Sequence, residues 1–235
     1  MTDNEKHYCV CMTPDALSAE AQKAMAGRKA ALLNEARWPT ASKIRVKFVG
    51  GDVGLQNRVK EVARRWTAPG LANLTLSFVP PTEDADIRVA FVEGNGSWSF
   101  LGTMCKQIPK AQPTMNFGWL TPESTDREVQ SVVLHEFGHA LGLIHEHQNP
   151  EKAIQWNEAA VLSELAGPPN NWSEQKARDN VLKRYSKEEV TTTPVDGKSI
   201  MMYPIPKSWT LDGFSSGFNE ELSDHDKTFI KKSYP

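Results

Sequence analysis

Residues 135–145 read HEFGHALGLIH, and no other stretch restricts the fold as tightly. On a helix, side chains four apart stand one turn above each other, about 40° apart around the axis. His135 and His139 therefore project side by side. Val129, Val133, Phe137 and Ala140 form an adjacent apolar stripe, so the pair borders the buried face of its helix, where a cleft floor would lie. Glu136 points between the stripe and the pair. Gly142 supplies a bend, because glycine takes a left-handed conformation at a helix C-terminus without steric cost. Three residues on, His145 can swing back beside the other two.

Three neutral imidazoles around one point are the donor set of a catalytic zinc, because they leave a fourth position open for water. Zinc lowers the pKa of such a water to about 7. Glu136 can take that proton and pass it to a leaving amine. His147 lies two residues past His145 without helical register to the pair, and reads as a solvent or structural histidine. His225 reads as a surface residue and His7 as equally bland. Ligands must be deprotonated, so activity and zinc affinity should fall together below about pH 6.

The rest of the chain supplies a scaffold for this helix. KIRVKFV, LTLSFV and IRVAFV alternate apolar and polar residues as strands do, and GNGSWSFLG and PTMNFGW are shorter extended stretches. Leu55, Val59, Val62, Ala63 and Trp66 recur at helical spacing. The capping box Thr125–Glu128 opens a helix over Asp126–Leu141. Beyond Gly142 come short helices, Asn157–Leu165 and Ser173–Tyr185, with loops and no clear strands. LSDHDKTFI closes the chain as a helix capped by Ser223. This order predicts an α+β fold. A mixed, twisted sheet and the histidine helix form an N-terminal lobe (37–146), with both helices on one sheet face. A smaller, mostly helical and irregular lobe (147–235) faces it across a cleft. Residues 1–36, with a helix expected at Ser18–Glu35, form a separate pro-like or regulatory segment.

Downstream, Ser199–Pro204 reads SIMMYP. Together with HEFGHALGLIH it resembles the metzincin zinc metallopeptidases, in which a methionine turn lies beneath a three-histidine zinc. The resemblance covers about residues 37–235 and carries matrixin-like and astacin-like features of a bacterial and fungal branch. It implies a zincin-like fold and peptide-bond hydrolysis. It implies Zn2+ on His135, His139 and His145, Glu136 as the base that activates a metal-bound water, Met201 as the structural methionine, and Tyr203 as an oxyanion donor. Glu146 also looks astacin-like, whereas Met202 stands where astacins usually carry a histidine. A rival reading, a zinc-bearing peptide-binding or toxin-like module with little turnover, is countered by the intact Glu136.

An extended peptide or protein substrate would add to an exposed sheet edge, at Ser97–Gly102 or Thr114–Gly118. Pro204-Ile205-Pro206 reads either as a wall of the pocket beyond the scissile bond or as a rigid loop. Cys11-Met12-Thr13-Pro14-Asp15 has the C-x-x-P-D skeleton of the matrixin cysteine switch, which makes Cys11 a candidate regulatory thiol. An inert thiol, or a disulfide from Cys9 or Cys11 to Cys105, is the alternative. A net charge of −2 gives no footprint for nucleic acid, no apolar run is long enough for a membrane span, and a monomer is expected. The N-terminus lacks the apolar core of a leader. The expectation is therefore a cytoplasmic or non-classically exported chain, or an extracellular one whose leader has been removed.

Overall fold

The computed structural model describes residues 8–12, 36–150, 154–187 and 195–235. The helix expected at Ser18–Glu35 and His7 lie outside them. The sheet contains β1 (Val10–Met12), β2 (Lys43–Phe48), β3 (Thr75–Phe78), β4 (Ile87–Ala90), β5 (Ser97–Phe100) and β6 (Met115–Phe117), in the order β1-β5-β6-β4-β2-β3. It is mixed. Strands β3, β2, β4 and β6 run parallel to one another, β5 is antiparallel to β6, and β1 pairs parallel with β5.

Two findings correct the expected edge. Thr114–Gly118 is not an edge, because β6 sits between β4 and β5. The outer side of β5 is taken by β1, three residues of the N-terminal segment, with Val10, Cys11 and Met12 in register with Trp98, Ser99 and Phe100.

Asp52 caps α1 (Val53–Ala63), which continues as a 3-10 turn to Thr67. The histidine helix α2 (Asp126–Ala140) opens on the complete capping box of Thr125 and Glu128. Its interior positions from Ser131 to Ala140 are buried, because it packs on α1, on β5 and on β6. Trp66 ties the two helices together by donating its indole N–H to the Leu134 carbonyl at 2.9 Å.

The second half has α3 (Glu158–Ala166), a short α4 (Glu174–Ala177) that widens into a π turn through Leu182, and α5 (Asp224–Ser233). Among the described residues it contributes only isolated bridges, Trp156 to Thr210 and Ile205 to Ser216. One apolar cluster runs from Trp38 through the sheet, α1 and α2, and includes Ile200, Met201, Leu222, Ile230 and Tyr234 from the far end of the chain. A second gathers Ile154, Val161, Leu165, Trp172, Trp209 and Tyr203, and it takes in Tyr8 from the N-terminal segment. The C-terminal helix thus belongs to the first core rather than the second. No described helix is long and apolar enough to cross a membrane.

Tyr234 is the clasp. Its hydroxyl donates to the Leu141 carbonyl at 2.6 Å, at the end of α2, and accepts from the Trp38 amide at 3.4 Å. A carbonyl at a helix end has no partner within the helix, so this bond satisfies an otherwise orphaned acceptor. Tyr234→Phe should lower unfolding free energy by about 1–2 kcal/mol, read as a lower urea midpoint with an unchanged slope.

Candidate active site

The C-terminal turn of α2 builds the site. Gly142 has φ of +95°, the left-handed value required for the chain to reverse. The Gly142 amide donates to the His139 carbonyl and the Leu143 amide to the Gly138 carbonyl. This closes the helix and returns His145 to the histidine pair. The three rings converge, with centroids 4.5–5.3 Å apart and the Nε2 atoms of His139 and His145 3.1 Å apart. One ligand atom from each histidine lies within 4.8 Å of the others.

Each ring is oriented from its outer nitrogen. Nδ1 of His135 lies 2.8 Å from the Ile200 carbonyl, Nδ1 of His139 2.7 Å from the Leu143 carbonyl, and Nδ1 of His145 3.3 Å from Oε1 of Gln148. These oxygens only accept, so each Nδ1 carries the proton and each Nε2 presents a lone pair inward. Nε2 of His135 is buried without a hydrogen-bond partner. Converging lone pairs, fixed tautomers and an orphaned buried nitrogen fit a zinc ion.

Burial favours the neutral rings. It lowers the His135 pKa to about 4, and burial with neighbouring histidines holds His139 and His145 well below 6.5. Glu136 is fully buried, which pushes its carboxyl well above the usual carboxylate range. Neither of its oxygens has a hydrogen-bond partner among the described residues, and the nearby Cys9 thiol is pushed up by burial and then by Glu136.

Ser199–Pro204 passes beneath the rings. The Met201 sulfur fills the space beside Gly138, where an added Cβ would stand 2.3 Å from Sδ. This explains a glycine inside a helix, where it costs about 1 kcal/mol relative to alanine. Asp226, in the first turn of α5, fixes the turn. Its carboxylate accepts from the Ser199 hydroxyl at 2.7 Å and the Ile200 amide at 2.8 Å, while also capping its own helix through the Ser223 amide. Glu146 accepts from the Asp196 amide at 3.0 Å, and its own amide donates to the Met201 carbonyl at 2.9 Å. Asp226 is a supporting residue that the sequence pattern did not single out; LSDHD showed only a helix cap.

The Tyr203 ring packs on His145 at 4.2 Å between centroids, and its hydroxyl donates to the Cys9 carbonyl. His147 is not a solvent histidine. It is 2% exposed, stacks on His145 at 5.2 Å and on Tyr203 at 4.6 Å, and donates Nε2–H to the Asn180 carbonyl. It stays outside the three-histidine group.

Cys9, Cys11 and Cys105 are all free in this structure, so of the alternatives weighed it shows separate thiols and no bond to Cys105. Cys105 packs in the first core, Cys9 against the second, and Cys11 in a small cluster with Ala36, Leu101 and Met104. Glu136 acts on both N-terminal thiols, each pushed up first by burial and then by that carboxylate, but only Cys9 also gives its carbonyl to the Tyr203 hydroxyl.

Fold and site together define a zinc-dependent metalloendopeptidase of the metzincin class. The chain belongs to the astacin family: the family profile described as Astacin (Peptidase family M12A) matches residues 33–234. It is similar to a solved structure described as the structure of myroilysin, at 41% identity and a TM-score of 0.82, covering 86% of this chain and 97% of that one. A second, described as the crystal structure of myroilysin, is 37% identical with a TM-score of 0.70 and covers 99% of this chain and 92% of that one. No curated protein sequence matches the chain. The zinc, the peptidase activity and protein or peptide substrates follow from membership of this family, and the rival reading as a non-catalytic module falls.

The depressed histidines set a pH dependence for the zinc-free protein. His135 and His147 fall from 6.5 to about 4 and about 3 on folding. Between those values and 6.5 the unfolded chain binds more protons, so stability is lost as pH falls through that window, at about 1.4 kcal/mol per pH unit per group. Glu146, raised from 4.5 to about 7 mainly by burial, acts in the opposite sense between those values. With the histidines prevailing, the melting temperature of zinc-free protein should drop from pH 6.5 to pH 4. The onset of proton competition also moves below the pH 6 expected for an ordinary imidazole.

Proposed function

We propose that the structure represents a latent peptidase whose N-terminal segment occupies its own substrate groove, with Cys9 as the blocking group. One observation carries this reading. The Tyr203 hydroxyl, beside the histidines, donates to the Cys9 carbonyl, and the next three residues form β1 along β5, which brings the Cys9 thiol into the neighbourhood of Glu136. An extended substrate binds a sheet edge through the same backbone groups, so the segment and a substrate compete for one edge. A thiol is also a chemically suitable fourth donor beside three imidazoles. The regulatory role expected of Cys11 passes to Cys9, because Cys11 is packed away among Leu101 and Met104.

The roles in the open enzyme follow from the same atoms. His135, His139 and His145 hold zinc, which when bound supplies a Lewis acid that acidifies water and polarises a carbonyl. Glu136 takes a proton from the attacking water and returns it to the leaving amine. Tyr203 donates its O–H to the carbonyl oxygen as charge develops there, as it now does to the Cys9 carbonyl. Met201 supports the rings from below and takes no part in the chemistry.

Glu136→Ala should keep its zinc, measured by atomic absorption, and lose chelator-sensitive casein digestion by about a hundredfold or more. Retained digestion contradicts the assignment. Cys9→Ser should raise the basal activity of the full chain, and Cys11→Ser should raise it far less. Equal activation by the two variants, or none by the first, removes Cys9 from the blocking role.

A further inference from the structure

The residue before Cys9 does more than continue the chain. Tyr8 is 3% exposed and fills a pocket on the second core. Its ring stacks on Trp209 at 5.0 Å and meets Tyr203 and Trp172 edge-on at 5.4 and 6.4 Å. Its hydroxyl donates to the Pro204 carbonyl at 3.1 Å at the base of the pocket, and its amide donates to the Asn170 side chain at 3.3 Å. Trp209 is held by its indole N–H on Glu164 at 2.7 Å, so the stacking wall is fixed from behind.

This pocket adjoins the chemistry. Tyr203 is both one of its walls and the donor to the Cys9 carbonyl beside the histidines. The pocket is therefore one residue removed from the peptide carbonyl held at the site. On the outer side of β1, a cleft of about 840 Å3 lined in part by Trp98, Trp119 and Trp172 remains open. An aromatic slot with a carbonyl acceptor at its base matches a phenol: the ring gains stacking and apolar burial, and the hydroxyl has a partner that phenylalanine cannot use.

We propose that the Tyr8 pocket is the principal side-chain subsite of the enzyme and selects a tyrosine flanking the cleaved bond of the substrate. Tyr8 is the segment's own copy of that side chain, so the segment is held by the contacts that recognise substrate. This rests on the peptidase reading above and adds its side-chain preference.

The test uses the full chain carrying Tyr8→Ala with Cys9→Ser, which empties the slot and removes the blocking thiol, after circular dichroism shows it folded. In the first arm, tryptophan fluorescence is titrated with N-acetyl-tyrosinamide, N-acetyl-alaninamide and N-acetyl-argininamide. Tyrosinamide should saturate the signal at least about tenfold more tightly than the other two, as burial of an aromatic ring requires. The parent chain, with its slot filled, should show no such response. In the second arm, cleavage of a peptide library should be most enriched in tyrosine at one position beside the cut. No saturable tyrosinamide response, or tighter binding of argininamide, overturns the subsite. A cut library without tyrosine enrichment overturns it and leaves the peptidase reading intact. An uncut library with a tyrosine-selective titration counts against the peptidase reading and upholds the pocket.

Discussion

Three imidazoles can share a space of under 5 Å only if all are neutral and all are turned the same way, because protonated rings would repel and misturned rings would present N–H bonds to one another. The rest of the structure serves that constraint. Burial removes the charge, and two backbone carbonyls and a glutamine oxygen set the tautomers. Two of those acceptors, Leu143 and Gln148, are local, and one comes from far along the chain. Leu143 belongs to the bend at Gly142, whereas Ile200 belongs to a turn held by Asp226 of the last helix. The C-terminal helix is thereby coupled to the site twice, through Asp226 and through the Tyr234 clasp on the end of α2. A fold in which the end of the chain closes over the first core gives the rings one arrangement.

The N-terminal segment uses the same features in reverse. A sheet edge that can receive a substrate also receives β1, a carbonyl donor that can hold a reacting peptide also holds Cys9, and an aromatic slot beside it holds Tyr8. Each contact alone is modest. Together they enclose a phenol and a carboxylate beside a half-buried thiol, and burial raises the pKa of all three groups. On the proposed latent reading, opening the site means removing a strand rather than a single ligand.

Much of this was legible in the sequence, and the reason is range. The strands at Ile44, Leu76 and Ile87, the helix opened by Thr125 and the bend at Gly142 are written in neighbours a few residues apart. The convergence of His135, His139 and His145 follows from the same local geometry. What was not legible depends on pairing between remote segments. β1 has only three residues and no alternation of its own, so its place on β5 could not be read from its sequence, and with it went the true edge. Asp226 looks like an ordinary helix cap until the Ser199 turn docks on it. The spacing of His147 left a solvent and a structural role open, and its enclosure by Asn180 and Tyr203 decides for the structural one. Cys11 carried the better motif, while the carbonyl contact to Tyr203 belongs to Cys9.

X-ray absorption at the zinc edge of the purified full chain tests the central arrangement most directly. The account predicts a zinc shell containing three imidazole nitrogens, reduced to two when His145 is replaced by alanine. A wild-type shell with fewer than three imidazoles, or one unchanged by that substitution, would contradict it.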